Sequence, residues 1–336
     1  MRGKEPSGSY RRRRHTVRYR YHQKSNKRPL MIAAAALTAV LLYAVIRLAL
    51  YHADLAKSRH TAQTLSQLYY ADPAAASSPM PSAVPQQTPA STEAPGMAMM
   101  PITEPPPAAE VTIQPDAALA AVPYPQNAEL KKSARFKALQ KQNRDIVAWL
   151  TIDRLIDEAV VQRDNIYYMD HNALGEKNIN GALFLDGSCS LKTRPYSLVI
   201  YGHNMKSGAM FGSLRNFENI SFYHKSPFIT LDTQYETGRY VIFSVAQISL
   251  LEGTNHYIDP FDLHSLQVSR RRQMIDVLTR CSVHTCTVDV TPEDQLLLLI
   301  TCVDSDDERR VVAARRIRDG ESEQTLAKQV EKARKK

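Results

Sequence analysis

Three residues in this chain have the types and settings for covalent acyl chemistry. Cys302 lies at the end of the apolar run Leu296-Leu297-Leu298-Leu299-Ile300-Thr301-Cys302-Val303, one residue before the charged stretch. Arg309 and Arg310 end the charged stretch that follows, just before Val311-Val312. Far upstream, His203 follows another apolar run, in Ser197-Leu198-Val199-Ile200-Tyr201-Gly202-His203-Asn204. A thiolate is a strong nucleophile, an imidazole can pass protons near neutral pH, and a guanidinium can steady a developing oxyanion. An ordinary thiol is only a few per cent ionised at neutral pH, so a nearby cation has to raise that fraction. Each residue also has a plainer reading. A lone cysteine in an apolar strand is most often core. A histidine is often structural, and either arginine could pair with Asp304, Asp306, Asp307 or Glu308 on the surface. The coincidence of all three at strand ends is what favours catalysis.

Strands have to position them. Short apolar runs bounded by turn residues read as strands at 143–152, 158–162, 182–186, 197–201, 228–231, 239–250, 296–302 and from 311. Helical spacing marks 129–142 and 262–280, with short helical pieces at 211–217 and 221–223. Many short strands with few helices imply a mainly β fold with flanking helices, a barrel or an α+β domain. Gly202 gives the chain a sharp exit from its strand before His203. The other histidines after residue 127, His171, His224, His256, His264 and His284, lack such a setting. Cys281 and Cys286 flank His284, but that spacing offers too few ligands for a metal, and nothing in it supports a disulfide.

Charge is unevenly spread. Residues 1–29 hold eleven Lys or Arg against one Glu, while the whole chain is +9. The basic character therefore belongs to the tail, and a nucleic-acid reading of the whole protein loses its support. Residues 30–51 are apolar apart from Arg47 and are long enough to span a bilayer. Lys and Arg ahead of the span favour a cytoplasmic amino terminus, with the rest of the chain outside. A cleaved signal peptide fits less well, because the basic region and apolar segment are long and no small-x-small site closes them. Residues 52–71 look helical and are expected to form a juxtamembrane stalk, a docking helix being the alternative. Thirteen of nineteen prolines fall in 72–126, which reads as a linker. A globular domain over 127–318 and a charged tail over 319–336 complete the organisation.

At these residues the chain resembles a class B sortase. The similar segments, in order, are Asn143-x-Asp-Ile-Val-x-Trp-Leu-x-Ile, Val160-Val-Gln-x-Asp-Asn-x-x-Tyr, Gly181-x-x-Phe-x-Asp, Val199-Ile-Tyr-Gly-His-Asn-Met-Lys-x-Gly-x-Met-Phe, and Leu299-Ile-Thr-Cys with Arg309-x-Val-Val. The resemblance covers about 127–318. It implies a sortase-type closed β-barrel with an amino-terminal helix and a helix inserted before the cysteine strand. It assigns Cys302 as nucleophile, His203 as acid/base and Arg309 as the carbonyl-binding arginine, with Arg310 as fallback because the loop after Cys302 is about one residue shorter than in many relatives. Asn204, Thr301 and Arg310 are its substrate-binding positions. Ile300 departs from the Ser that many class B enzymes place before Thr-Cys. The implied reaction is cleavage of a carboxy-terminal sorting signal, often Asn-Pro-Gln-Thr-like, after Thr through a thioacyl-enzyme. The acyl group then passes to an amine of a peptidoglycan precursor or a pilin lysine. No metal or other cofactor is expected. Surface proteins or pilins carrying the signal would be the partners. The alternatives are a sorting-signal hydrolase and an inactive wall or pilus scaffold. A papain-like hydrolase has its cysteine before its histidine, the reverse of the order here.

Overall fold

The computed structural model of the protein describes residues 27–71, 117–302 and 307–336. The chain divides into two compact units, Met1–Leu50 and Tyr51–Lys336. Nearly all of the basic tail and most of the proline-rich linker lie outside the described residues.

In the first unit, helix α1 starts at Lys27 and continues to Tyr70 in the second. No glycine or proline interrupts it between Pro29, in its first turn, and Pro73, just past its end. Its residues 31–50 are exposed and apolar enough to cross a membrane.

Eight strands build the second unit: β1 Ile146–Ile152, β2 Ile156–Val161, β3 Leu183–Leu185, β4 Ser197–Tyr201, β5 Phe228–Thr233, β6 Thr237–Ser249, β7 Leu296–Cys302 and β8 Glu308–Arg316. They close into a barrel in the order β1-β2-β3-β4-β7-β8-β6-β5. Closure leaves no open edge for another chain to extend. Two pairs, β2 with β3 and β4 with β7, are parallel. Parallel neighbours require long crossovers, here residues 162–182 and 202–295, and both crossovers reach the site described below. Alternation on β1 sends Ala148, Leu150 and Ile152 to the main core, with Val199, Ile242 and Leu298 among their companions. Trp149 faces a second cluster outside the barrel.

Helix α2 covers Ala134–Leu139, less than the 129–142 its spacing suggests. Asn127 explains the shortfall. Its side chain accepts from Lys131 N and donates to the Lys131 and Tyr235 carbonyls, so a local turn replaces the first helical turn. The helix expected over 262–280 is split into a 3₁₀ turn, Pro260–His264, and α4, Val268–Arg280. Between them the backbone is extended, with Leu266 O and Val268 N bonded to Leu119 N and Ala117 O. Helix α3 is Ile220–Lys225, capped by Asn219.

Two segments fold more fully than their sequence suggests. The carboxy-terminal stretch expected as a charged tail forms α5, Glu323–Val330, capped by Ser322. Leu326, Val330 and Ala333 are buried against the main core. The expected juxtamembrane stalk is docked on the barrel along its length. Leu65 and Tyr69 belong to the outer cluster, and the Tyr69 ring stacks on Trp149 at 4.3 Å. Tyr69 also donates to Asp232, and Tyr70 to Asp157. Burying two such side chains contributes about 1.5–3 kcal/mol each.

Candidate active site

Barrel order brings the three chemical positions to one rim. β4 lies beside β7, in parallel, with Tyr201 opposite Ile300. One step further, Gly202 N donates to Ile300 O at 3.3 Å, so the chain leaves β4 toward His203 where β7 runs out at Cys302. On the other side of β7, antiparallel β8 sets Arg309 opposite Cys302 and Arg310 opposite Thr301. Residues directly opposed across an antiparallel ladder belong to the same face. Arg309 therefore shares a face with position 302, and Arg310 does not.

The two arginines also differ in engagement. Arg310 Nε and Nη2 donate to Glu218 Oε1 at 2.9 and 2.6 Å. Glu218 belongs to the 3₁₀ segment Phe211–Glu218. Arg309 Nη1 donates to the Glu308 carbonyl at 3.0 Å, and its charge is felt at Tyr201, the last residue of β4. Burial, then Asp186, pushes the Tyr201 phenol up, and Arg309 offsets part of that rise.

His203 is half-buried and held from the first crossover. Its Nε2 lies 2.6 Å from Met169 O. A carbonyl only accepts, so Nε2 carries the proton in this bond and Nδ1 is left for exchange. The ring packs over Gly181, where a Cβ would lie 3.1 Å from His203 Cδ2 and 2.6 Å from Tyr168 O, and φ is +64°. Only glycine suits such a position. Gly202 is fixed by close approach as well, because a Cβ there would meet Leu183 and Phe211 at 2.6 and 2.9 Å.

The remaining expected positions sit nearby in different settings. Asn204 is half-buried and bridges to Met210, a non-glycine residue at φ 51°. Thr301 is 2% exposed, and its Oγ1 has no hydrogen-bond partner among the described residues. Its hydroxyl is thus covered, whereas Asn204 is accessible.

Two features were missed by sequence reasoning. Tyr201 donates to Asp186 Oδ2 at 3.0 Å. Burial alone would raise the Asp186 carboxyl, but His264 and then Ser188 hold it well below the usual carboxylate range. His264 Nε2 stands 3.6 Å from Asp186 Oδ1. The Gly181-x-x-Phe-x-Asp motif ends on Asp186 and was the available signal. The second feature is the Met169 carbonyl, a backbone group with no side-chain signature.

Comparison with known proteins agrees with this geometry. The sortase domain family model matches residues 150–317, half of the chain. Sortase B of Listeria monocytogenes is 32% identical over 178 residues, covering 52% of this chain and 69% of that protein. Sortase B of Staphylococcus aureus is 28% identical over 187 residues, 54% of this chain and 74% of that one. Among solved structures, sortase B from Bacillus anthracis in complex with AAEK2 superposes with a TM-score of 0.50 at 29% identity, covering 56% of this chain and 86% of that one. The Staphylococcus aureus sortase B–substrate complex matches with a TM-score of 0.50 at 27% identity, over 56% and 87% of the two chains. The closed barrel, the strand order that brings positions 203, 302 and 309 to one rim, and these relatives lead to one conclusion: this chain belongs to the sortase family, as a class B cysteine transpeptidase.

Proposed function

We propose that the protein cleaves a carboxy-terminal sorting signal after Thr and transfers the acyl group to an amine, with Cys302, His203 and Arg309 as the working residues. The observation that carries this reading is the strand order β4-β7-β8, which sets positions 203, 302 and 309 side by side. The Cys302 thiolate attacks the Thr carbonyl carbon, and Arg309 stabilises the resulting oxyanion. As the C–N bond breaks, protonated His203 gives its Nδ1 proton to the leaving amine. The incoming amine then attacks the thioester and yields a proton to His203. A new C–N bond forms and the thiolate is restored. The face shared with position 302 supports Arg309 for the oxyanion, while the Glu218 pair gives Arg310 a structural role. Asn204 is accessible and is assigned a substrate contact; Thr301 is assigned to shaping the floor of the site.

The substrate is assigned as a surface protein or pilin with an Asn-Pro-Gln-Thr-like signal, and the acceptor as a peptidoglycan-precursor amine or a pilin lysine. The apolar span of α1 supports a single membrane anchor, with the amino terminus cytoplasmic and the barrel outside. A labelled Asn-Pro-Gln-Thr peptide, incubated with and without an amine, tests the reading. Amine-linked product from wild type and none from Cys302→Ala is the expected result. Release to water alone, with amine present, would favour a hydrolase.

A further inference from the structure

Between the docked half of α1 and His203 lies the crossover 162–182, and its contacts on both sides are specific. Asn172, Asn178 and Asn180 are 2%, 1% and 0% exposed. Their side chains meet the helix: Asn172 Nδ2 donates to Thr61 Oγ1 at 3.1 Å, Asn180 Nδ2 to Ser58 Oγ at 3.0 Å, and Asn178 Nδ2 to the Asp54 carbonyl at 2.9 Å. Ser58 Oγ in turn donates to Asn178 Oδ1 at 3.1 Å. Within the crossover, Asn178 N donates to Asp170 O, Gly181 N to Asn178 O, and Ala182 N to Tyr168 O. These bonds tie the asparagines to the two places that hold the imidazole, the Met169 carbonyl and the Gly181 platform. The crossover has little regular structure of its own: the 3₁₀ turn Tyr167–Met169 and a bridge between His171 and Lys177. Buried amides of this kind need partners; α1 supplies one to the Nδ2 of each asparagine, beside Glu176, which also accepts from Asn172 Nδ2 at 2.9 Å.

We propose that Ser58 and Thr61 of α1 are positioning residues for His203, acting through Asn172, Asn178 and Asn180 to fix the crossover that carries Met169 and Gly181. The proposal rests on the acid/base reading of His203. Proton transfer needs the imidazole placed within a few tenths of an ångström, so loosening its cradle lowers the chemical step more than substrate binding. The helix that anchors the protein is then part of the catalytic apparatus rather than a passive stalk.

The test uses the full-length protein in detergent micelles, with Ser58→Ala, Thr61→Val and the double variant. Peptide transfer is measured across pH, with Tm recorded for each. Thr61→Val is nearly isosteric and keeps the packing, so it reports even where the double variant folds poorly. The expected result is a fall in kcat of at least about tenfold for the double variant, KM little changed, and a displaced His-dependent limb of the pH–rate profile. Ser58→Thr, which keeps a hydroxyl, should restore most of the rate. A lower Tm with wild-type kcat and pH profile would overturn the proposal and leave the helix a purely stabilising role. His203→Ala separates the two claims. If it transfers normally, the acid/base reading itself is wrong; if it is inactive while the helix variants behave as wild type, only the coupling is wrong.

Discussion

Arg309 and Arg310 are adjacent in sequence and fall on opposite faces of β8, and this makes them separable by mutation. Arg309→Ala is expected to reduce kcat by about 10²–10³-fold, the usual consequence of losing an oxyanion donor. Arg310→Ala breaks the pair with Glu218 and should affect stability more than rate; transfer kinetics on both variants decide. Glu158 provides a second residue-level check. It alternates with Ile156 and Val160 on β2, lies opposite Leu150, and so shares their core-facing side. Burial, reinforced by Asp157, pushes its carboxyl up to about 7 from an ordinary 4.5. The folded state therefore holds a proton that the unfolded state has released, and stability falls as pH rises between those two values. Glu158→Gln removes that penalty. Its Tm advantage over wild type should be small near pH 4.5 and grow to a plateau above pH 7, as pH-dependent melting would reveal. These assignments were unevenly legible in sequence. Cys302 and His203 stood out as polar residues where apolar runs end, and the arginine pair as cations just before the next one. Glu158 did not, because whether a strand carboxylate faces core or solvent depends on the register of its neighbour.

At the scale of elements, one buried arginine ties the insert before the cysteine strand to the strands that end at the site. Arg271 of α4 is fully buried and donates to the carbonyls of Pro292, Tyr196 and Asp294 and to Ser197 Oγ. It thereby pins α4 to the starts of β4 and β7, the two strands that end at the site. Arg271→Met leaves those acceptors buried and unpaired, a cost of about 2–4 kcal/mol, and thermal melting should register it as a drop of roughly 5–15 °C. In sequence, Arg270-Arg271-Arg272 are three consecutive charges in the stretch read as a helix over 262–280. Only the packed helix reveals that the middle arginine points inward. The strands were legible for the opposite reason: each is a short apolar run whose burial needs no distant partner to be recognised. Helix ends were less so, because Asn127 and the bridge from Ala117 to Val268 set them from outside the helical pattern.

For the whole molecule, the folded unit is larger than the family-like stretch 127–318. It begins at Tyr51 and runs to Lys336. Sequence concealed both additions, since the faces of α1 and α5 that pack on the barrel carry few large apolar residues among many polar ones. Deleting 319–336 exposes the core beneath Leu326 and Val330 and removes the pair between Arg239 and Glu323. It should lower Tm markedly while leaving the residual folded fraction able to form a thioacyl-enzyme. The central claim concerns that intermediate. The most direct measurement is mass spectrometry of the full-length protein quenched during turnover of an Asn-Pro-Gln-Thr peptide. An acyl adduct mapped to Cys302, absent from Cys302→Ala and chased into amine-linked product by added amine, is the predicted result. Amine-linked product formed equally by Cys302→Ala, or an acyl group mapped to another residue, would contradict the account.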